Sequence, residues 1–307
     1  MPWPVRLWRR GQRRVAQSAA AKSGEPSGPP PPAETPPAPT EAPSLYARNW
    51  AYISPELQER LAATTLLTAG TGLGSVIAVL AARTGVQRFI LADGDVVEES
   101  NLNRQAFTRA HLGQNKAAAT AAIIADIQPA AQVEVIPRYL ESADMADLVG
   151  RADIILNTID LDTPAFVDLN RVARAAGKPV LFPLNPVWMG TVVVFTADSQ
   201  SLDEFLGLER SEDPVAVGAV TLRLFERIYA QVSGGLPESL RGMIASYFDQ
   251  DAAGGSSATR QLGAPQLGVT ATLTASLAVY ALVALVAKTP LRVAPQVITA
   301  DAVALSA

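Results

Sequence analysis

Residues 64–116 read TTLLTAGTGLGSVIAVLAARTGVQRFILADGDVVEESNLNRQAFTRAHLGQNK. The first six, 64–69, are a short apolar run that enters the turn Gly70-Thr71-Gly72-Leu73-Gly74. The spacing predicts a helix over 75–84 that stops at Gly85, because glycine closes a helix without steric cost. A second strand is expected over 88–92, and Asp93 follows about 20 residues past the turn, where a carboxylate can accept from ribose hydroxyls. Strand, glycine turn, helix, strand and acid together form a nucleotide-binding βαβ unit. Its small turn residues let backbone N–H groups and a helix N-terminus approach phosphate.

The same alternation continues outward. Ser54-Pro55-Glu56 is a helix start, with a cap, a proline at N1 and an early acid, and a helix to about Ala62 should follow. Helices are expected over 114–127, 144–149 and 164–176, and strands over 132–136, 153–158, 179–183, 191–195 and around 296–299. Strands alternating with helices specify an α/β fold, Rossmann-like and doubly wound, whose mostly parallel sheet carries helices on both faces. Residues 198–264 break the rhythm, first acidic and then glycine-rich, and read as an inserted lid on the substrate side.

Composition narrows the function. The 307 residues are 49% apolar with a net charge of −4, so a general nucleic-acid binder, usually basic, is disfavoured. The chain has no cysteine, which excludes a disulfide, a thiolate zinc site or a cysteine nucleophile of its own. One histidine, His111, leaves no His-based metal site or Ser-His-Asp triad to build. Residues 1–44 read as a disordered leader: arginines and a lysine without acids over 1–22, then a stretch over 26–43 that is half proline. Residues 267–287 are 21 uncharged positions, long enough to span a membrane, but their alanines and threonines and the α/β pattern around them point to a buried core helix. The domain organisation expected is therefore the leader followed by one domain over 45–307.

In open α/β sheets ligands sit beyond the carboxyl ends of the strands. Gly70, Gly72, Gly74, Asp93 and Asp160 should therefore share one crevice. Asn101, Arg104 and Lys116 offer donors and positive charge for a triphosphate, and Asp160, with Asp95 or Asp162, offers hard oxygen ligands for Mg²⁺.

Tyr46-Ala47-Arg48-Asn49, the glycine turn, LADGDVVEESNLNRQ at 91–105, Gly113-Gln114-Asn115-Lys116 and the strand leading to Asp160 together resemble the E1-like adenylyltransferases. These are the relatives of ThiF, MoeB and the adenylation domain of ubiquitin-activating enzymes, and the resemblance covers roughly residues 45–300. It implies ATP- and Mg²⁺-dependent activation of a carboxylate, usually the C-terminal tail of a peptide or small ubiquitin-fold carrier protein, as an acyl-adenylate. Through it, Asp93 would hold the ribose, with the glycines and Asp95 beside it. Asn101, Arg104, Gln105 and Lys116 would line the phosphates, Asp160 would bind Mg²⁺, and Arg48 would reach the neighbouring subunit's site in a homodimer. A cytoplasmic enzyme without membrane or nucleic-acid partners is what the likeness suggests. Three departures stand out: Ala69 and Thr71 occupy positions usually glycine, Leu161 follows Asp160 where asparagine is common, and the acyl-accepting cysteine is missing. Rival readings are a non-catalytic binding module of the same fold, an enzyme that adenylates and cyclises a carboxylate on a tRNA nucleoside, and an NAD(P)-dependent oxidoreductase. The last leaves Asn101, Arg104, Lys116 and Asp160 without a role.

Overall fold

The computed structural model describes residues 45–49, 51–161, 163–186, 188–208, 217–232, 235, 238, 240–242 and 266–301. The expected leader, Asp162 and much of the expected insertion lie outside the described residues. The elements are α1 (Pro55–Ala63), β1 (Thr65–Ala69), α2 (Leu73–Thr84), β2 (Arg88–Ala92), α3 (Lys116–Ile127), β3 (Gln132–Ile136), α4 (Ser142–Arg151), β4 (Ile154–Asn157), α5 (Ala165–Ala175), β5 (Val180–Leu184), β6 (Met189–Phe195), α6 (Leu202–Leu206), α7 (Val217–Val232), α8 (Gly268–Ala287) and β7 (Val297–Asp301). Local chemistry sets the boundaries. The Ser54 side chain accepts from the Leu57 N–H to start α1, and the Asn115 side chain accepts from the Ala118 N–H to start α3.

The strands form one seven-stranded sheet in the order β3-β2-β1-β4-β5-β6-β7. The first five are parallel; β6 is antiparallel to β5 and to β7, so β7 runs in the direction of the first five. From β1 the chain winds outward to β2 and β3, then returns to β4 on the other side. The order therefore reverses between β1 and β4, and a crevice opens there at the strands' carboxyl ends.

Alternation along each strand divides the core in two. Leu67, Ile155, Phe182 and Val193 face α4, α5, α6 and α7, whereas Leu66, Leu156, Leu181 and Val192 face α1, α2, α3 and α8. On the first face Phe166, Phe182, Phe195 and Phe205 form a run of rings with centroids 5.9, 6.3 and 6.0 Å apart. Leu224 and Ile228 of α7 are fully buried in the same core, so this part of the expected insertion packs onto the sheet.

The 20-residue α8 is apolar enough to cross a membrane by composition, yet half of it is buried against the sheet. Its alanines and threonines permit a close approach: Thr274 is fully buried and its hydroxyl donates to the Leu184 carbonyl at 3.1 Å. Gly190 of β6 completes this contact, since a Cβ there would stand 2.8 Å from the Thr274 backbone nitrogen. Gly190→Ala is expected to push α8 off the sheet and to lower stability by about 1–3 kcal/mol, the range for overpacking a core. Urea unfolding measures this; an unchanged midpoint would mean that α8 packs more loosely than described.

Candidate functional site

A cavity of ≈ 700 Å³ lies at the carboxyl ends of β1, β2, β4 and β5, at the reversal of strand order. Gly70, Gly72, Asp93, Asp95, Arg104, Gln105, Lys116 and Asp160 line it, so most of the residues expected from sequence come together. Gly74, Asn101 and Arg48 do not line it.

The three glycines do different work. Gly70 has φ +86, and a Cβ there would sit 2.7 Å from the Thr158 carbonyl carbon, so the turn lies on the backbone leaving β4. Gly72 caps α2 at the cavity edge beside Gln105. Gly74 is a packing residue: a Cβ there would be 2.7 Å from both the Thr68 methyl and the Thr158 hydroxyl.

Asp93 is only 7% exposed. The Thr71 N–H and hydroxyl donate to its Oδ2 at 2.6 and 3.0 Å, and the Asp95 N–H donates to its Oδ1 at 2.9 Å. The Asn115 amide donates to the carbonyls of Asp93 and Asp95 at 2.8 and 3.1 Å, joining the exit of β2 to the start of α3. The first residue of α3 is Lys116, 9% exposed, whose Nζ pairs with Asp95 Oδ2 at 2.7 Å. Tyr139, from the loop after β3, donates its hydroxyl to Asp95 Oδ1, and its ring lies over Gly94. Burial pushes the Asp95 carboxyl up, but the hydrogen bonds from Lys116 and Tyr139 and the lysine charge together hold it below its ordinary value.

Asn101 supports the loop from behind. Its Oδ1 accepts from the Glu98 N–H at 3.0 Å, and its carbonyl accepts from the Arg104 and Gln105 N–H groups at 3.2 and 3.0 Å. The Arg104 guanidinium donates to Ser100 O at 2.7 Å and to Gln266 Oε1 at 2.8 Å. Burial lowers its pKa, and the opposing charge of Asp160 offsets part of that; arginine stays protonated in either case. Arg48 is exposed at the opposite end of α2. There the Tyr46 hydroxyl donates to Ala82 O at 2.9 Å and the Asn49 amide to Thr84 O at 3.3 Å. A 12-residue helix separates this anchor from the glycine turn, about 18 Å at 1.5 Å per residue. Arg48 therefore cannot serve the cavity of its own subunit.

Among the described residues five buried side-chain polar atoms have no partner, and three of them (Gln105 Oε1, Thr163 Oγ1 and Asn185 Nδ2) belong to residues lining this cavity. Unpaired buried polar groups are costly, and three around one cavity point to a polar ligand. Sequence reasoning missed Tyr139, Gln266 and Thr163. The first and third follow strand ends on the ligand side, a signal available from topology; Gln266 carried none. No group of three acidic or histidine side chains able to hold a metal alone occurs among the described residues. This donor set fits Mg²⁺ held by one or two carboxylates together with substrate phosphates.

The doubly wound sheet, the glycine turn at its switch point and the paired cations and carboxylates define a nucleotide-binding fold. Within that class the chain belongs to the ThiF family, which residues 46–306 match. It is 33% identical over 196 residues, 61% of this chain, to the adenylyltransferase and sulfurtransferase MOCS3 of Mus musculus, and covers 42% of that protein. It is 30% identical over 145 residues, 47% of this chain, to the sulfur carrier protein adenylyltransferase of Thermus thermophilus, and covers 53% of it. The chain thus spans about half the length of these relatives. Among solved structures it shares the fold of E. coli MccB with ATP (TM-score 0.57, 16% identity, 84% of this chain and 71% of that one). It also shares the fold of E. coli TcdA, a tRNA N6-threonylcarbamoyladenosine dehydratase (TM-score 0.53, 17% identity, 80% and 94%).

The bond to Asp95 pushes the Tyr139 phenol up to about 12. It favours the protonated phenol, so its contribution to stability is fully present below the ordinary value of 10.0 and is lost as pH rises through about 12. Ultraviolet titration should show one tyrosine ionising near 12 that disappears in Tyr139→Phe and moves down in Asp95→Asn. Ordinary titration of every tyrosine in the wild type would count against the contact.

Proposed function

We propose that this protein is an ATP- and Mg²⁺-dependent adenylyltransferase that activates the C-terminal carboxylate of a peptide or small ubiquitin-fold carrier protein as an acyl-adenylate. The observation that carries the reading is the meeting of Arg104, Lys116 and Asp160 around one cavity whose floor is the glycine turn. A triphosphate needs cations, close backbone approach and a hard metal ligand in one place, and a dinucleotide site needs only the turn and Asp93. The relatives named adenylyltransferases, one of them acting on a sulfur carrier protein, support the same reading.

In this reading Asp93 orients the ribose, and Gly70 and Gly72 admit the phosphates. Lys116 exchanges Asp95 for phosphate oxygens, and Arg104 and Gln105 close on the phosphate chain from the opposite side. Mg²⁺, held by Asp160 and the phosphates, would supply charge neutralisation for the leaving group. A substrate carboxylate oxygen attacks the α-phosphorus; the acyl O–P bond forms, the α–β bridge breaks, and pyrophosphate leaves with the electron pair. Arg104 and Lys116 are aimed where negative charge gathers in that step. Without a cysteine, the chain passes its adenylate to a nucleophile from elsewhere. Residues 45–307 act as the adenylation domain, within a cytoplasmic homodimer whose partner supplies Arg48. The distance of Arg48 from its own cavity supports that arrangement.

Two measurements test this. Calorimetry with Mg·ATP should give micromolar binding that Arg104→Ala and Asp160→Ala each weaken at least about tenfold, as expected for losing a contact to a charged group. Exchange of labelled pyrophosphate into ATP should then depend on an added carboxylate-terminated carrier. Tight ATP binding without exchange for any carrier would favour the non-catalytic binding module, and no ATP binding by folded protein would overturn the proposal. For the dimer, Arg48→Ala and Arg104→Ala subunits are each expected to be inactive alone, and an equimolar mixture to recover about a quarter of wild-type exchange, since half the dimers then hold one complete site. No recovery would place Arg48 outside the reaction.

A further inference from the structure

Thr71 stands where the resembling family usually has glycine, and it is fully buried. Its side chain therefore touches no ligand, yet it changes what Asp93 can offer one. The Thr71 N–H and hydroxyl both donate to Asp93 Oδ2, at 2.6 and 3.0 Å, and the Asp95 N–H donates to Oδ1 at 2.9 Å. An ionised carboxylate has about four lone-pair positions over its two oxygens. Three are taken within the protein, and the one left belongs to Oδ1. Asp93 nevertheless lines the cavity, so this position is the one a ligand meets.

A ribose presents two neighbouring hydroxyls. A carboxylate with an open position on each oxygen accepts from both; one whose Oδ2 is saturated accepts from one. We infer that Asp93 takes a single sugar hydroxyl, through Oδ1, and that Thr71 is the positioning residue enforcing this. The inference rests on the adenylyltransferase reading, because it needs a nucleoside triphosphate in this cavity. The consequence is relaxed sugar selection: the site tolerates loss of whichever hydroxyl Asp93 does not engage. Replacing Thr71 by alanine or glycine, which lack the atoms covering Oδ2, leaves only the backbone N–H on that oxygen and opens the second position.

The test is calorimetric titration of the full chain with the Mg²⁺ complexes of ATP, 2′-deoxy-ATP and 3′-deoxy-ATP. In the wild type one deoxy analogue should bind within about twofold of ATP and the other at least about tenfold weaker, the loss expected for one hydrogen bond to a charged acceptor. Thr71→Ala removes the hydroxyl together with the atoms that cover Oδ2. It should tighten ATP several-fold and make both deoxy analogues weaker than ATP by similar factors. Thr71→Ser should keep the wild-type pattern and Thr71→Gly should follow Thr71→Ala, which covers the case in which the alanine variant does not fold. Equal penalties for both analogues in the wild type, or ratios unmoved by alanine and glycine, would overturn this inference while ATP binding itself stood. Absence of ATP binding in every protein would overturn the adenylyltransferase reading and this inference together.

Discussion

The site depends on a register. Ala69, Ala92 and Asn157 pair side by side at the ends of β1, β2 and β4, so the next residues, Gly70, Asp93 and Thr158, leave the sheet together. Backbone bonds bind them into one rim: Gly70 N–H donates to Ala92 O at 2.8 Å, and Thr158 N–H to Ala69 O at 2.9 Å. The Thr158 hydroxyl adds bonds to the carbonyls of Ala69 and Gly70 at 3.0 and 2.5 Å. This rim requires Gly70, because no side chain fits between the turn and the β4 exit. Asp160 lies two residues past Thr158, so the separation of the acid after β2 from the acid after β4 follows from strand pairing.

Electrostatics within that rim are balanced inside the protein. Lys116 pairs with Asp95, and Arg104 donates to Ser100 O and Gln266, so in the absence of a ligand each cation has oxygen partners. A buried ammonium without a partner would be costly. In the adenylyltransferase reading proposed above, phosphate oxygens would take the place of these partners, one oxygen set substituting for another. Against burial, the Tyr139 bond works together with Lys116 to hold the Asp95 carboxyl below its ordinary value.

Much of this was legible in sequence because it is local. The βαβ unit, the caps at Ser54 and Asn115, and the small residues of α8 are written in adjacent residues and their periods. The expected strand over 88–92 is observed over the same residues, and most others shift by one or two at their ends. The grouping of Asp93, Arg104, Lys116 and Asp160 was also readable, since topology sends every strand end of a parallel sheet to one side. Asn101 shows the boundary of such reasoning. Its place in the motif signals importance without saying whether it touches a ligand or, as the structure has it, shapes the loop that carries Arg104. Gln266 was unreadable for another reason: it meets Arg104 across 162 positions of sequence, and no local pattern encodes that meeting.

That long-range contact gives α8 a role beyond the core. A Cβ at Gly268 would collide with the Asn103 carbonyl oxygen, and the Asn103 amide donates to Gln266 O at 3.2 Å. The first residues of α8 therefore rest on the loop bearing Arg104. On its other side the same helix lies against β5 and β6, through the Thr274 bond to Leu184 and the close approach to Gly190. The strand β5 runs on to Asn185 at the cavity wall. One helix thus sets both the arginine that lines the cavity and the strand end at its wall. A side chain added at Gly268 or Gly190 would disturb the two sides together. The small residues of α8, which on composition alone resemble a membrane span, are what allow it to hold both at once.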